Sequence, residues 1–554
     1  MSVKTTSSAT FSRIKHAFRQ AWRKRDFEKA EAKAVLLTRR HPNYAYSWRS
    51  LGAARVELKR PEDAVDALAR AIQLDPNDSE ALYFLATARF GLKDWQRTLD
   101  ALRSCLALNP DHAPAHALKA RVYLAQGHRD QAMENIDTAH ALAPEDATIL
   151  THRINILSAA RRMQDVLNDC QQLLALDGDN PSFHNLTGVK YCEMGDFVRG
   201  ADHFEQALKR RPQYLEAFSN RIFNAHYDPT LSHGDIAALI QRWRAGFSPA
   251  QRPTRPAGRD RDEHRPLTVG LLSAGLRMHP VGQMITSVLE NLPDGEVTLT
   301  AYSTSDLKDA LTARIRTVTQ KWHDVAGRSD DSIEALIRQD QVDILIDLSG
   351  HTDGNRLRMI AREPAPLIVK WVGGLVNTTG LDAIDYLISD SVETPPGCDA
   401  DYLEKLIRMP DDYICYMPPP HAPPVGPLPA LEQGHITFGC LNNPAKINRQ
   451  LIHGWSRLLT ELPSSRLLLK SGQYSDPAFR ERIWSDFETA GIDRARILLE
   501  GPEHHAAFLD TYNRIDIALD PWPYSGGLTT CEALLMGVPV ITLPGPTFAG
   551  RHAA

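Results

Sequence analysis

AYSWRSLGAARVELKRPEDAVDALARAIQLDP, residues 45–76, reads as two amphipathic helices with small residues where they cross and a proline at the end. Trp48, Leu51, Gly52, Ala64, Leu68 and Ala71 carry the apolar faces. The closing proline recurs at Pro42, Pro76, Pro110, Pro144 and Pro212, each gap 34 residues or twice 34, with Gly178 in the vacant register. Five residues before each of these positions stand Leu37, Ala71, Cys105, Ala139, Leu173 and Ala207. Eight before stand Ala34, Leu68, Leu102, Ile136, Cys170 and Phe204. A single such unit cannot bury its apolar face, so neighbours must stack into a superhelix with a concave groove. Five units are expected over 45–214, a degenerate one over 11–44, and LEAFSNRIFNAH opens a further helix, giving an α-solenoid over 11–227. Its apolar stripes are core, and an array of this kind binds protein or peptide without itself being a catalyst.

Outward from the array the pattern changes twice. GDIAALIQRWRAGF reads as one amphipathic helix, followed by SPAQRPTRPAGRDRDEHRP, which has no period and is expected to be a solvated connection; together they form a linker over 228–265. From Leu267 short apolar runs (LTVGLL, EVTLTAYS, VDILIDLS, PLIVKWV, AIDYLIS) alternate with helical segments such as DSIEALIRQ. Buried parallel strands with crossover helices give this appearance. MPPPHAPPVGPLP, residues 417–429, is expected to be an extended linker or hinge. A second alternating set follows: HITFGCL, SRLLLKS, ARILLE, IDIALD and VPVITLP. The expectation is two Rossmann-like lobes, 266–416 and 430–554, with ligand bound in the cleft at the carboxyl ends of the strands.

Composition narrows the function classes. Among 554 residues, 43% are hydrophobic and 24% charged, which excludes wholesale disorder. Lys plus Arg is 63 against 68 for Asp plus Glu, a net charge of −5 that gives no basic field for nucleic acid or a membrane surface. Seven cysteines without a C-x-x-C suit free thiols in a reducing compartment better than disulfides or a zinc site. No signal-peptide core and no long apolar run is present, so a cytoplasmic protein is expected. Nor is there a G-x-G-x-x-G, a Walker A motif, an H-E-x-x-H or a nucleophile elbow.

Three stretches carry chemistry. In YSGGLTTCEALLMGVPVITLPG (524–545) a strand runs through Gly527 and Leu528 into a helix opening at Thr529-Thr530, with Glu532 in its first turn. Free N–H groups and two hydroxyls suit a diphosphate, and Glu532 a ribose; the same residues are also an ordinary N-cap. In FGCLNNPAKINRQ, Asn443 and Lys446 follow a strand, where a lysine can neutralise a departing diphosphate, although loop lysines are usually just solvated. In SAGLRMHPVGQM, His279 follows the first strand of the opposite lobe and is either a cleft base or a turn residue. His351 and Asp353 in SGHTDGNR close another strand, and Gly373 and Gly374 in WVGGLVNTTG suggest a flexible loop on the acceptor side.

The repeat register, W-L-G-Y-A-F-A-P in outline, resembles the tetratricopeptide repeat. HPVG, S-G-H-T, P-A-P-L-I-V-K-W-V-G, I-D-Y-L-I-S-D, F-G-C-L-N-N-P-A-K-I and T-T-C-E-A-L-L-M-G-V-P resemble the O-linked N-acetylglucosamine transferase and SPINDLY group, glycosyltransferase family 41. The resemblance implies a GT-B fold and inverting, metal-free and cofactor-free transfer of a sugar to Ser or Thr of proteins. By position, Lys446 matches the diphosphate lysine, Thr529 and Thr530 the phosphate pair, Glu532 the acidic residue at the ribose, and Asn443 a polar donor-site residue. His279 matches the cleft histidine of the HP motif. In GPEHHAAFLD, Phe508 stands where the animal pattern has a base-contacting His and His505 where it has Lys, with His504 beside them. Leu528 replaces the His before the Thr pair, and T-T-C-E is closer to SPINDLY, a type associated with GDP-fucose. UDP-GlcNAc is the first expectation for the donor, with GDP-fucose or a catalytically silent scaffold as alternatives. Acceptors would be proteins or peptides held in the repeat groove, and homodimerisation is left open. The family's asparagine-ladder positions hold Ser50, Phe84, Leu118, His152, Leu186 and Asn220. Relatives also continue past FAGRHAA, which raises the expectation of a truncated second lobe.

Overall fold

In the computed structural model, residues 2–247, 254–257, 265–374 and 376–554 are described. They fall into two units, 1–176 and 177–554, so the division lies inside the repeat array. The first unit is wholly helical. After the helices Ser2–Arg23 and Phe27–Arg40, each repeat pairs a 13-residue helix with a 14-residue one, as in Ala45–Glu57 with Pro61–Leu74 and Ser79–Gly91 with Trp95–Leu108. The pairs Ala113–Ala125 with Arg129–Leu142 and Ala147–Ala159 with Met163–Leu176 complete it. Small residues decide the crossing: a β-carbon on Gly52 would overlap the Leu68 side chain. The recurring proline sits just past each second helix, after C-caps such as Asp75 and Asn109, where a residue without an N–H costs nothing.

A second 34-residue rhythm lies in the turns inside the repeats. Arg25, Lys59, Lys93, Gly127, Arg161 and Gly195 all have positive φ, between 55° and 82°. Each reverses the chain between paired helices, and four of the six do so with a long cationic side chain in place of glycine.

The second unit begins with the repeat helices Pro181–Glu193 and Phe197–Arg210, the helix Leu215–Ala225, and the expected linker helix, observed as His233–Phe247. Trp243 of that helix is fully buried in one core with Phe218, Ile222 and strand and loop residues of the first α/β lobe. Of the Pro/Arg-rich connection, 248–253 and 258–264 lie outside the described residues. Between them Arg255 corrects the solvated reading. Its guanidinium donates to Glu363 at 2.6 Å, to Asp385 at 2.7 Å and to the carbonyls of Pro366 and Ala383.

The first lobe is a seven-stranded parallel sheet: β1 Leu267–Ser273, β2 Val297–Ser303, β3 Lys321–Asp324, β4 Ile344–Asp347, β5 Leu367–Lys370, β6 Tyr386–Asp390 and β7 Lys405–Met409. Their order is β3-β2-β1-β4-β5-β6-β7. The switch point lies between β1 and β4, so the loops after these strands open a crevice. Five of the strands coincide with the apolar runs; β3 and β7 do not, because each is an edge strand with one partner, no buried residue and charged residues that interrupt its apolar ones.

The second lobe is a five-stranded parallel sheet of order β10-β9-β8-β11-β12, with β8 Thr437–Cys440, β9 Arg466–Lys470, β10 Ile497–Glu500, β11 Ile517–Leu519 and β12 Val540–Ile541. The Pro-rich segment is extended, as expected, but docked along this lobe. The Gly426 N–H donates to Asn513 Oδ1 at 2.7 Å, and Asn513 returns a bond to the Pro424 carbonyl.

Candidate active site

The second lobe builds its site from the ends of β8 and β11, neighbours in the sheet. Past β8 the chain turns through Asn442 and Asn443 into a short helix, Pro444–Lys446. Past β11 it runs through Asp520 and a proline-rich loop to Tyr524, Ser525, Gly526 and Gly527, then into the helix Leu528–Leu535. Lys446 Nζ donates to the Ser525 carbonyl at 2.6 Å and to Asn442 Oδ1 at 3.3 Å, and lies 4.4 Å from the centre of the Tyr524 ring. Asn442 Oδ1 also accepts from Thr529 Oγ1 at 3.0 Å, tying the two loops together. Asp520 accepts from the Gly526 N–H at 2.6 Å and from Thr542 Oγ1 at 2.8 Å, which fixes the glycine turn.

Burial sets the electrostatics. It lowers the Lys446 ammonium to about 8, with Asp520 pulling the other way, and it raises the Asp520 carboxyl to about 6. The lysine is therefore a cation at neutral pH, in a site that has removed much of its water. The helix start beside it is open. Its N-cap is Gly527, with no side chain to bond the first-turn amides, and those of Leu528 and Thr529 have no acceptor among the described residues. Thr530 Oγ1 turns back to the Gly526 carbonyl at 2.9 Å.

Glu532 is the fifth residue of that helix, in its second turn and not its first. It is buried, which pushes its carboxyl up, while His505 pulls it back by bonding Oε1 through Nε2 at 2.8 Å. His421 of the Pro-rich segment bonds His505 Nδ1, also at 2.8 Å. Phe508 lies half-buried with its ring 6.3 Å from that of His505, and exposed His504 caps the helix His505–Asp510.

The first lobe presents His279 as the N-cap of the helix Pro280–Glu290, its Nδ1 accepting from the Val281 N–H at 3.3 Å. Burial, then Arg277, lowers its pKa, so the ring is neutral. Because Nδ1 uses its lone pair on the amide, the proton sits on Nε2, and the free edge of the ring is a donor. Met284, on the same helix, faces the second lobe: Leu528 packs on its core, and a β-carbon on Gly527 would meet Met284 Cε at 3.7 Å. The two helix starts thus belong to one crevice.

Asn443 caps the Pro444–Lys446 turn and accepts from Gln473, while its neighbour Asn442 reaches Lys446 and Thr529. Two expectations need correction. His351 is not a cleft residue. It is 2% exposed and joins Ser219 of the repeat helix Leu215–Ala225 to the Thr379 carbonyl, its pKa held near 4 by burial. Asp353, two residues on, is exposed. Gly373 and Gly374 do not form a flexible loop. Val372, Gly373 and Gly374 have φ of 46°, 42° and 61°, and β-carbons on the glycines would overlap the carbonyls of Leu348 and Ser349. Buried Lys370 pins them, donating to Val372 O at 2.7 Å and Gly373 O at 2.6 Å beside Asp347. Among the described residues, no three His, Cys, Asp or Glu cluster to hold a metal ion.

A repeat solenoid and two parallel-stranded lobes on one chain define a tetratricopeptide-bearing glycosyltransferase architecture. The chain belongs to glycosyltransferase family 41, whose family model matches residues 252–416; the tetratricopeptide-repeat model matches 17–79. A model of the anaphase-promoting complex, cyclosome, subunit 3 matches 57–139. A solved structure, a mutant O-GlcNAc transferase from Thermobaculum terrenum, is 33% identical with a TM-score of 0.74, over 79% of this chain and 84% of that one. Two relatives are named probable UDP-N-acetylglucosamine–peptide N-acetylglucosaminyltransferase SPINDLY. That of Petunia hybrida is 36% identical over 62% of this chain, and that of Arabidopsis thaliana 38% over 52%. A third, SEC of Arabidopsis thaliana, is 28% identical over 56%. The matched stretches span 37%, 32% and 32% of those relatives, about a third of their length.

Proposed function

We propose that the protein is an inverting protein O-glycosyltransferase that moves N-acetylglucosamine from UDP-GlcNAc to Ser or Thr hydroxyls. The observation that carries this is the pairing of a partly desolvated lysine with an uncapped helix start. Both are positive, both lie at carboxyl ends of neighbouring strands, and together they match the charge of a nucleotide diphosphate. The acceptor oxygen attacks the anomeric carbon, and the bond from that carbon to the β-phosphate oxygen breaks. The electron pair leaves with the diphosphate, where Lys446 and the amides of Leu528 and Thr529 receive the developing charge. The hydroxyl proton passes to solvent or a base other than His279, whose outward nitrogen is a donor and so suits binding an oxygen of the donor or acceptor. The second oxygen of Glu532, which has no partner among the described residues, suits a ribose hydroxyl. With these groups on the diphosphate the reaction calls for no metal. The repeat groove is the surface on which protein acceptors would lie, and a cytoplasmic location fits the free cysteines. No helix among the described residues is long and apolar enough to cross a membrane.

The names of the SPINDLY and SEC relatives support UDP-GlcNAc as donor. The test incubates the purified chain with radiolabelled UDP-GlcNAc or GDP-fucose, with cell lysate as acceptor and EDTA present. Label from UDP-GlcNAc on protein, lost in Lys446→Ala, is expected. Label from GDP-fucose alone overturns the donor, and label from neither overturns the activity.

A further inference from the structure

The solenoid reaches the lysine site from behind, within the second unit. Tyr227, just past the repeat helix Leu215–Ala225, is buried with its ring 4.5 Å from that of Tyr524, and Phe223 and Phe197 flank it at 5.8 and 5.2 Å. Tyr524 in turn carries the Lys446 ammonium at 4.4 Å from its ring centre, and the next carbonyl, Ser525 O, accepts from it. The other side of the lysine is held by the same repeats. Ala445 is buried in one cluster with Cys192, Phe197, Phe204 and Tyr227, and Arg482 of the second lobe donates to the Met194 carbonyl at 2.8 Å. Both the residue before Lys446 and the ring beneath it therefore pack on repeat residues.

An ammonium over a ring is held by the quadrupole of its face, an attraction that strengthens when water is excluded and depends on where the ring sits. Tyr524 has no hydrogen bond from its own hydroxyl among the described residues, so its ring position is set by packing, with the Tyr227 ring nearest at 4.5 Å and those of His552 and Phe223 at 5.9 and 6.1 Å. We propose that Tyr227 is a positioning residue for Lys446: through the tilted Tyr227–Tyr524 ring contact, the end of the solenoid holds the ammonium where it meets the diphosphate. The solenoid then shapes donor binding as well as offering a groove. This rests on the reading of Lys446 as the diphosphate lysine.

The test is a double-mutant cycle on the full chain, reading the dissociation constant of UDP by calorimetry for wild type, Tyr227→Leu, Lys446→Ala and the double variant. Expected is a roughly tenfold loss on Tyr227→Leu, the scale of a desolvated cation–ring contact, shrinking to under about twofold in the Lys446→Ala background. Tyr227→Phe, which keeps the ring, restores wild-type binding. An equal loss in both backgrounds, or none in either, overturns the proposal, since a merely structural role is additive. Where Tyr227→Leu fails to fold, Phe223→Leu carries the same cycle. If Lys446→Ala alone leaves UDP binding intact, the functional reading of the lysine falls; a Lys446 effect with an additive cycle sinks only the positioning role.

Discussion

The two lobes solve the same local problem in opposite ways. Each places a helix start in the crevice after a buried parallel strand. In the first lobe the start is closed, because the His279 side chain occupies the Val281 amide. In the second it is open, because Gly527 offers nothing to the Leu528 and Thr529 amides, and a cation stands beside it. A helix start is therefore an anion site only where the sequence declines to cap it, and on the function proposed above the second lobe's open start is the one that would meet the diphosphate.

The comparison can be broken most severely at the lysine. Lys446→Ala removes the cation and keeps the open helix; turnover of UDP-GlcNAc should fall about 10²–10³-fold with an unchanged circular-dichroism spectrum. Next comes closing the open start. The Gly527 position meets only Met284 Cε, so Gly527→Asp should fold, cap the helix and repel phosphate. UDP affinity is expected to drop about 10–100-fold with no loss of melting temperature, and a variant that binds UDP normally would refute the open-start argument. The lysine's acidity sharpens the contrast further. The cation is lost as pH rises through its value of about 8, so kcat/KM should decline above that pH, about tenfold per unit once well past it. The smallest effect belongs to the closed start. His279→Ala should lower stability by about 1 kcal/mol through loss of the cap, and His279→Asn should recover the stability without the rate, as denaturant melts and steady-state assays would report.

Legibility followed the physics of each feature. The repeats were readable because packing places Gly52 against Leu68 in one unit and Gly188 against Phe204 in another, leaving a size pattern in the sequence. The left-handed turns at Arg25, Lys59, Lys93 and Arg161 were not, since cationic residues carry no turn signal and only the stacked helices impose the conformation. Lys446, Thr529, Thr530 and Glu532 stood out from motif context; Asn442 links Lys446 to Thr529, and Thr530 and Glu532 share the helix of Thr529. Asn442 was missed in favour of Asn443 because adjacent asparagines in a loop look alike until the backbone decides which one turns inward. His351 misled for the opposite reason. A histidine at a strand end looks catalytic until a distant helix, here bearing Ser219, covers it. Lys370 gave no warning, since a lysine ending an apolar strand reads as the first exposed residue, yet it is 0% exposed beneath the glycine loop.

That glycine loop bears on how variation in this protein would be interpreted. Gly373 and Gly374 cannot accept a β-carbon in place, and Lys370 spends its hydrogen bonds on the carbonyls around them. In a saturation-mutagenesis map these positions would register as intolerant as any residue that touches a ligand, although their part is architectural. Intolerance to every side chain, alanine included, would mark the frame of the crevice, whereas loss of turnover with expression preserved would mark its chemistry. Only the second signature is expected at Lys446.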